Sequence, residues 1–535
     1  MPTADVFARL ERLNEIGAAL SAERDLDRLL ERILDAARQI TRADAGTLYR
    51  LAPGGRALHF AIVRTASLGI AYGGPGGQPL TDRFPDVPLY DADGRPNHAT
   101  VAAHCALTLR TIDIGDVDQA VGFDFSGTRA FDRRTGYRSR SFLTVPMVDH
   151  ERRAIGVLQL INATDPASGA VGPFSEADRR LAESLASQAA IALTNRLLID
   201  QMERLFESFI GLINIAIDEK SPYTGGHCQR VPELTMMLAD AAGATTDGPL
   251  AGFALSEQER YELKIAGLLH DCGKVTTPVH VVDKATRLQT LCERIHGVDA
   301  RFEVVRRDAE IRMLRAVAAG EDPAAAQARL AADLARIDDD RDFLRRRNTA
   351  GEPTHPGDAA RVAAIAAQHR WRGPDGVERP LLDDDEVENL SIPAGTLTAA
   401  ERDHINHHIV ATIRMLESLP WPRHLARVPE YAGGHHERMD GKGYPRGLTG
   451  DRMSIPARIL AIADIFEALT ARDRPYKPGL TLSQALAVLR DFRDRGHIDP
   501  DLHAVFVARG VYLDYARRFL DPAQIDVAGD AREAG

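Results

Sequence analysis

The spacing of apolar and polar positions divides the chain into a mixed first part and a largely helical remainder. Apolar residues recur every three or four positions over 6–42, in the runs FARLERLNEIGAAL and LDRLLERILDAARQI, and this period predicts helix. Strand-like runs follow at 45–52 and 56–66. Two more, at 141–149 and 154–163, flank the polar turn HERR and predict paired strands. The first part is therefore expected to be α+β, with helices against an antiparallel sheet.

One long helix is predicted where this first part ends, over 175–217. Ser175 is a candidate N-cap, and the acidic residues behind it suit a first helical turn. Apolar residues then alternate at three and four steps, which is the pattern of a coiled-coil seam. The seam contains Leu181, Leu185, Ala192, Ile199, Met202, Phe206, Phe209 and Ile213, with Gln188 and Asn195 in the same register. We expect a linker helix that forms a parallel homodimer; the alternative is an amphipathic helix packed on its own domain.

The segment at 285–396 differs from the rest of the helical remainder. Its runs RFEVVRRDAEIRMLRAV and DPAAAQARLAADLARIDDDRDFLRRR are rich in arginine and helical in pattern, and stretches rich in Gly, Pro and Asp follow them. No catalytic motif is recognisable within it. We therefore expect a helical insertion with polar loops, which covers or flanks a neighbouring cleft or extends a dimer contact.

The composition narrows the class of protein. A chain of 535 residues predicts two to four domains at about 100–200 residues each. Its apolar runs are shorter than the ~20 residues that span a bilayer, and four cysteines without a C-x-x-C pair suit a reducing compartment. A net charge of −11 argues against a surface that coats nucleic acid. We expect a cytoplasmic protein that binds neither DNA nor a membrane.

The order of elements over 5–174 resembles a GAF domain. The stretch SFLTVPMVDHERRAIGVLQLINA carries most of the likeness. Asn162, Phe174 and Asp178 also match the N…F-x-x-x-D part of a signature of cyclic-nucleotide-type GAF domains, although its Lys and final Glu are replaced. The resemblance implies a sensor domain. Such a domain either binds a small molecule or, without a ligand, serves dimerisation.

Four segments after the linker helix, and a fifth that follows them, contain residue types that bind metals. They are SPYTGGHCQRV (221–231), LLHDCGKVTTP (268–278), ERDHINHHIVATIRML (401–416), GGHHERMDGKGYPRG (433–447) and RILAIADIFEALTARDRPYKP (458–478). Each alone has a structural explanation, such as a turn histidine or a buried acid. Together they offer more imidazoles and carboxylates than one ion can take. This predicts a two-metal site of the kind that hydrolyses phosphoesters.

Four residues in these segments suggest specific roles. His270 and Asp271 are adjacent at the end of an apolar helix, where one metal can take both and the carboxylate can bridge two cations. Lys274 lies about one turn further and can hold a phosphate oxygen as a point charge. Asp464 lies in an apolar helix, and an unpaired buried carboxylate is costly unless a metal or a donor meets it.

Residues 218–515, less the insertion, resemble the HD-GYP phosphodiesterases of the HD phosphohydrolase superfamily. The likeness rests on HDCGK, on HHERMDGKGYPRG against the pattern HH-E-x-x-D-G-x-G-Y-P-x-G, and on ADIFEALTARDRPYK. The resemblance implies an all-α catalytic domain, followed by a tail at 516–535. It implies a metal-dependent phosphodiesterase of bacterial second-messenger signalling, which cuts cyclic di-GMP to linear pGpG or GMP. Diguanylate cyclases or other signalling proteins are then expected partners.

The resemblance also implies the metal ligands, position by position. They are His227, His270, Asp271, His408, His435, His436 and Asp464, with Asp271 bridging. His408 is preferred to His404 and His407, because INHHIVAT aligns its last histidine with the family's I-x-x-H-x-x-x-G. Thr412 stands where many members have the glycine of this pattern.

The substrate side is implied in the same way. Lys274 would bind the scissile phosphate and act in catalysis with Asp271. Tyr444, Arg474 and Lys477 would contact the dinucleotide.

The loop that leads to Tyr444 has residues with supporting roles. Glu437 and Asp440 are expected to orient ligands or hold the loop rather than to bind metal. Gly441 and Gly443 are expected to let the backbone turn so that the tyrosine faces the substrate.

Three departures from the family pattern bear on the metals. Ser221 stands where members often have Asp, and Glu467 replaces a frequent Asp. Tyr223 stands where members with three metals carry a glutamate ligand. We therefore expect two divalent ions, Fe or Mn, with Zn, Ni or Mg as alternatives.

Two other functions fit the same sequence. The domain could be an inactive relative that serves as a cyclic-dinucleotide sensor or interaction module, or it could hydrolyse another cyclic dinucleotide. The intact metal motifs favour an enzyme regulated by its GAF domain.

Overall fold

The computed structural model describes residues 2–23, 25–80, 84–165, 167–220, 226–349, 354–472 and 479–527. The chain divides into two compact units, Met1–Phe206 and Glu207–Gly535. No described helix combines the length and the apolar content needed to cross a lipid bilayer.

The N-terminal unit is an antiparallel sheet with helices, as the sequence predicts. Its helices are α1 (Pro2–Ala22), α2 (Leu26–Thr41), α3 (Val101–Thr108), α4 (Ser126–Thr135) and the first part of α5 (Glu176–Lys220). Its strands are β1 (Ala43–Leu51), β2 (Ala57–Thr65), β3 (Ile70–Tyr72), β4 (Val87–Pro88), β5 (Ile112–Ile114), β6 (Phe142–Val148), β7 (Ala154–Thr164) and β8 (Val171–Gly172). The sheet order is β3-β2-β1-β7-β6-β5, with β4 on β2 and β8 on β7. The predicted pairing of β6 with β7 is confirmed.

The main core of this unit lies between the sheet and helices α1, α2 and α5. Ile33 and Leu34 of α2 meet Leu158 of β7, and all three are fully buried. Leu181 and Leu185 of α5 belong to the same core, so the seam prediction was wrong for its first turns. An apolar stripe at three and four spacing serves equally well to cover a sheet or to face a partner helix.

The later part of the same stripe differs from its beginning. Ile199, Met202, Phe209 and Ile213 are exposed on α5, at 43–70% of their surface. A dimer through this stretch stays a prediction.

The residues of the partial GAF signature hold the backbone in place. Asn162 has a positive φ of 60°, and its Oδ1 accepts hydrogen bonds from the backbone N–H groups of Arg140 (2.7 Å) and Ser141 (3.3 Å). Asp178 accepts hydrogen bonds from the backbone and hydroxyl of Ser175 at 3.0 and 2.7 Å, which closes the start of α5. These contacts are structural and imply no ligand.

The second unit is largely helical. Its helices are α6 (His227–Gly243), α7 (Glu257–Leu269), α8 (Val279–Val282), α9 (Ile295–Ala318), α10 (Pro323–Asn348), α11 (Asp358–Gln368), α12 (Asp384–Leu390), α13 (Ala399–Glu417), α14 (Val428–Gly433), α15 (Ile455–Thr470), α16 (Leu482–Asp494), α17 (Pro500–Ala508) and α18 (Val511–Phe519). A short two-stranded hairpin joins β9 (Arg370–Arg372) to β10 (Glu378–Pro380).

The insertion has a hydrophobic core of its own. Phe302 of α9, Leu344 of α10 and Leu381 after β10 are fully buried in one cluster. The predicted pair of helices is present as α9 and α10. The stretch predicted as polar loops also contains α11, α12 and the β9–β10 hairpin, because Val362, Ile365, Leu381 and Leu390 bury their side chains there.

The two ends of the insertion lie together. The hydroxyl of Thr396 donates to the carbonyl of Lys284 at 2.8 Å. The buried Lys284 ammonium donates to Asn389 Oδ1 (2.7 Å) and to both carboxylate oxygens of Glu401 (2.9 and 2.7 Å). Glu401 is in the first turn of α13, so this contact ties the insertion to that helix.

Candidate metal centre

All seven predicted ligands fall into two clusters of donor atoms. One cluster contains His227, His270, Asp271 and Asp464, and the other contains His408, His435 and His436. Within each cluster, one donor atom of every residue lies within 4.8 Å of the others. Six of these side chains are buried, and that of His436 is partly exposed.

The ends of helices position most of these side chains. His227 is the first residue of α6, and His270 is the C-cap of α7, whose start is closed by a capping box at Ser256. Asp271 then caps the short 3₁₀ turn Cys272–Thr276. In the second cluster, His435 and His436 follow α14, and His408 lies within α13.

Three histidines are oriented in the same way. The Nδ1–H groups of His270, His408 and His435 each donate to the carbonyl three residues earlier, at 2.7, 2.5 and 2.6 Å. Each such bond holds the ring and, in the neutral form that binds a metal, leaves Nε2 without a proton. The bare nitrogens face the interior of the clusters, where a cation could take them.

Asp271 lies between the two clusters. Its Oδ2 is 3.2 Å from the Nε2 atoms of both His227 and His270, and its Oδ1 is 3.4 Å from His408 Nε2. Asp464 Oδ1 is 3.2 Å from His227 Nε2 on the first side. One oxygen of Asp271 thus faces each cluster, which is how a carboxylate bridges two cations.

The donor atoms fit metal ions better than they fit each other. His436 Nε2 and His408 Nε2 are 3.1 Å apart, and His227 Nε2 and His270 Nε2 are 3.3 Å apart. Two nitrogens about 2.1 Å from one ion and about 90–110° apart lie at about this separation. His435 Nε2 is buried and has no hydrogen-bond partner in the described part of the chain. Imidazole and carboxylate donors suit Fe, Mn or Zn.

The charged groups beside the clusters keep their charges. Burial lowers the pKa of Lys274, but the carboxylates of Asp271 and Asp464 outweigh it and raise this pKa. Burial raises the pKa of Asp271, yet Lys274 and the neighbouring histidines outweigh it and hold this pKa well below its usual value. Lys274 Nζ lies 2.5 Å from Asp271 Oδ2. A cation and an anion therefore stand side by side within the site.

Two histidines of the second cluster stay neutral. Burial lowers the pKa of His436 to about 4 and that of His435 well below its usual value, and neighbouring histidines add to both effects. A metal binds the neutral form of imidazole. These two rings are therefore in their ligating form at neutral pH.

The loop after this cluster is held by its acidic residues. Glu437 accepts hydrogen bonds from the backbone N–H groups of Arg446 (2.7 Å) and Leu448 (2.8 Å). Asp440 accepts one from the backbone of Lys442 at 3.0 Å. Both carboxylates bind the loop itself, and neither belongs to a metal-binding cluster of the described residues.

The two glycines of the loop are needed for different reasons. Gly441 has a φ of +74°, which favours glycine. Gly443 is needed for close packing, because a Cβ there would lie 2.5 Å from the Cα of Glu437. The ring of Tyr444 stacks on that of His436, with 4.8 Å between centroids and 21° between planes. The loop thus brings the tyrosine to the second cluster.

Models of known protein families match most of the chain. The GAF domain model matches 25–193, and two models described as HD domain match 224–341 and 385–502. The chain thus contains one region that matches a GAF domain and two that match an HD domain. The first HD match contains His227, His270 and Asp271, and the second contains the other four predicted ligands.

Curated relatives match segments of the chain. It is 46% identical over 80 residues to 3'3'-cGAMP-specific phosphodiesterase 1 of Vibrio cholerae, covering 15% of this chain and 18% of that protein. It is 41% identical over 110 residues to phosphodiesterase 3 of the same specificity and organism, covering 21% and 23%. It is 34% identical over 158 residues to a cyclic di-GMP phosphodiesterase of Pseudomonas aeruginosa, covering 29% and 35%. The matches thus span about a third or less of these relatives' lengths.

Three side chains of the HD domain have contacts that the motifs did not predict. Glu467 accepts a hydrogen bond from Nδ1–H of His227 and another from Nε of Arg230 at 2.7 Å. It lies three residues after Asp464 on α15, and this spacing places both on one helix face. The sequence spacing could therefore have indicated that Glu467 lies close to Asp464. Thr412 accepts a hydrogen bond from the backbone of Gly273 at 2.9 Å, so a residue in the family's glycine position anchors the HD turn.

The structure gives less information on the other predicted positions. His404 and His407 are exposed on α13, unlike His408. Arg474 and Lys477 lie outside the described residues, as do Ser221 and Tyr223.

The GAF domain contains a cavity of about 500 Å³ with an aromatic lining. Tyr49, Phe60, Phe84, Phe131 and Phe142 contribute rings to it.

Several buried polar groups of this lining are paired within the protein. The Tyr137 hydroxyl donates to Asp44 at 2.8 Å, and Gln159 donates to Thr144 at 3.2 Å. Arg64 donates to the carbonyl of Tyr72 at 2.7 Å. These groups offer little unpaired polarity to a ligand.

Proposed function

We propose that this protein is a metal-dependent phosphodiesterase that hydrolyses a cyclic dinucleotide. Cyclic di-GMP is the proposed substrate, and pGpG or GMP the product. One observation carries the proposal: seven donor residues form two clusters with Asp271 between them, and the protonated Lys274 stands beside Asp271. The activities in the names of the relatives support the substrate class.

The two clusters would each hold one divalent ion, Fe or Mn, with Asp271 as the shared ligand. When bound, such ions lower the pKa of water toward neutrality and stabilise charge on phosphoryl oxygens. The chain's own groups then complete the site. Lys274 presents a fixed positive charge to a phosphate oxygen. Glu467 holds His227 in the orientation that keeps its Nε2 inward.

The loop of Tyr444 would receive the nucleotide. Its ring is stacked on His436 and supported by a loop that Glu437 and Gly443 hold in place. A planar ring fixed beside a phosphate site can pack against a base. Arg474 and Lys477 are proposed as further contacts to the dinucleotide.

The GAF domain is proposed to regulate this activity through α5, and α5 is proposed to pair with a second copy in a parallel homodimer. The exposed Ile199, Met202 and Phe209 support the dimer, since apolar side chains along one helix favour pairing with a second copy. The last residue of α5, Lys220, donates to the backbone carbonyls of Lys274 and Val275. A change in this helix would thus reach the turn that carries Lys274.

The decisive experiment combines metal analysis with turnover. Protein purified without oxygen should contain about two ions per chain and should cut cyclic di-GMP when Mn²⁺ or Fe²⁺ is supplied. Binding of cyclic di-GMP without turnover in either metal would instead assign a sensor. Protein that contains no bound metal would contradict the proposal.

A second candidate is the hydrolysis of 3'3'-cGAMP, favoured by two relatives whose names carry that specificity. Competition between the two dinucleotides in one assay compares their kcat/KM directly. A preference for 3'3'-cGAMP above about tenfold would assign that substrate.

A further inference from the structure

A cavity of about 500 Å³ lies within the insertion, between α9, α10 and the β9–β10 hairpin. This volume is within the ~300–1,000 Å³ typical of small-molecule sites. Its lining includes Arg312, Arg315, Arg336, Arg370, Arg372 and Trp371. None of the predicted metal ligands or substrate contacts is among its lining residues.

Two of the five arginines are neutralised locally. Arg336 donates to Asp333 at 2.7 Å, and Arg370 donates to Glu378 at 2.9 Å. Both carboxylates also line the cavity. Each of these two pairs therefore contributes no net charge to the cavity lining.

The other three arginines have no such partner. Among the residues that the structure describes, Arg312, Arg315 and Arg372 form no ion pair and no side-chain hydrogen bond. Arg312 and Arg315 are three residues apart on α9, where like charges repel. The only further carboxylate in the described lining is that of Asp308. The cavity therefore has an excess of positive charge in a chain whose net charge is −11.

Trp371 gives the cavity a flat apolar wall. Its ring is partly buried and packs against the core of the insertion, while it also lines the cavity. An indole ring that packs against the core on one side can contact a ligand with its remaining surface. Little side-chain conformational entropy is lost on binding, because the ring is already held in place. Planar bases stack on such rings.

We propose that this cavity binds a nucleoside phosphate, with the base on Trp371 and the phosphate on Arg312, Arg315 and Arg372. Guanidinium groups bind phosphate oxygens through paired hydrogen bonds. A nucleic-acid strand fits less well, because the chain is acidic and the cavity offers one aromatic wall rather than a row. The site would give the protein a nucleotide-binding function separate from hydrolysis.

The chain supplies its own reporter for this site. It contains two tryptophans, Trp371 and Trp421, so Trp421→Phe leaves Trp371 as the sole tryptophan fluorophore. The full-length Trp421→Phe protein is titrated with GMP, GTP, guanosine, inorganic phosphate and a hexaglutamate peptide. GMP and GTP should change the fluorescence in a saturable way. Guanosine and phosphate alone should bind at least about tenfold more weakly, since each offers half of the contacts.

Arginine variants in the same background test the contacts. Arg312→Ala and Arg315→Ala should each raise the Kd of GTP by about tenfold or more, since each removes charge-assisted hydrogen bonds. Arg307→Ala is the matched control, because Arg307 is exposed on α9 and does not line the cavity. It should leave the Kd unchanged. Arg372→Gln offers a test on the hairpin if a variant of α9 fails to fold, as judged by thermal melting.

Three results would overturn the proposal. The first is no saturable change with GMP or GTP up to millimolar concentration. The second is an equal loss of binding in Arg307→Ala and Arg312→Ala. The third is a response to the glutamate peptide alone, which would assign the cavity to an acidic protein segment.

Discussion

The metal centre and the GAF cavity both gather polar side chains, but they satisfy them in different ways. At the candidate metal centre, nitrogens and oxygens face one another at 3.1–3.4 Å, and His435 Nε2 is buried with no hydrogen-bond partner among the described residues. In the GAF cavity, Tyr137, Gln159 and Arg64 bond to other protein groups. The donor atoms of the first site are arranged as they would be around a bound cation. In the second, these three groups are paired, and the aromatic lining favours an uncharged ligand or none.

Removing the shared carboxylate should give the largest effect. Asp271→Ala takes a ligand from both clusters, so turnover of cyclic di-GMP should fall by about a thousandfold or more. Metal analysis should show fewer bound ions than in the wild type. Asp403→Ala, on an exposed position of α13, is the control and should keep full activity. Wild-type turnover and metal content in Asp271→Ala would refute the assignment of the centre.

Removing a group that only orients a ligand should have a smaller effect. Glu467→Gln keeps the shape but weakens the contact to His227, so metal affinity should fall by about 10–100-fold. Titration of the metal-free protein with Mn²⁺ measures this change. Glu257→Gln, at an exposed position of α7, should leave the affinity unaltered. Activity of Glu467→Gln should recover at high Mn²⁺; a loss that excess metal does not restore would argue against an orienting role.

Lys284 provides a contrast with the candidate metal centre, because side chains of the protein, rather than a cation, pair with its buried charge. Lys284→Met should cost about 2–3 kcal/mol of unfolding free energy, since it removes hydrogen bonds to Asn389 and Glu401. Lys264→Met is the matched control. Its pair with Glu207 is exposed and should contribute less than about 1 kcal/mol. Chemical denaturation in the presence of a chelator should show the same difference, because no metal is involved.

The same pair predicts a pH dependence. Burial raises the pKa of Glu401, but Lys284 and the backbone of Thr398 outweigh it, so this pKa lies below its ordinary value of 4.5. The contribution of a carboxylate with a lowered pKa is fully present above the ordinary value and is lost as the pH falls through the lowered one. The stability difference between wild type and Lys284→Met should therefore shrink below about pH 4. A difference that is unchanged at pH 3 would contradict this assignment.

The smallest effect concerns the GAF cavity. Because Tyr137, Gln159 and Arg64 in its lining are paired within the protein, cAMP and cGMP at roughly 1 mM should shift the melting temperature by less than about 1 °C. Differential scanning calorimetry of the whole protein measures this. A shift of several degrees that Phe131→Ala removes would show that a charged nucleotide does bind there.

The two clusters of donor residues could be predicted from the sequence because several of their members are adjacent in the chain. His270 with Asp271, and His435 with His436, are recognisable pairs, and the fold brings them to Asp464. Glu467 was missed as an orienting group because its role depends on the position of His227 across the fold. Whether Arg474 and Lys477 meet the substrate stays a prediction.

Tertiary packing decided the features that the sequence pattern left open. The period that predicts a coiled coil also covers a sheet, so Leu181 and Leu185 were assigned to the wrong surface. The arginine-rich helices of the insertion were predicted, but the cavity beside them depends on the hairpin that carries Trp371. The GAF cavity likewise arises from aromatic residues distant in sequence, such as Phe60 and Phe142.

The two ends of the insertion lie together, and this has a consequence for how proteins with such insertions evolve. The hydrogen bond between Thr396 and Lys284 places the entry and exit of this segment at one point, and the segment has its own core. A module with adjacent ends can be acquired or lost in one genetic event without moving the helices that flank it. A short turn from Lys284 to Thr396 should close the gap. The same junction could accept a different small domain whose termini are close together, which would make it a site for building new chimeric proteins.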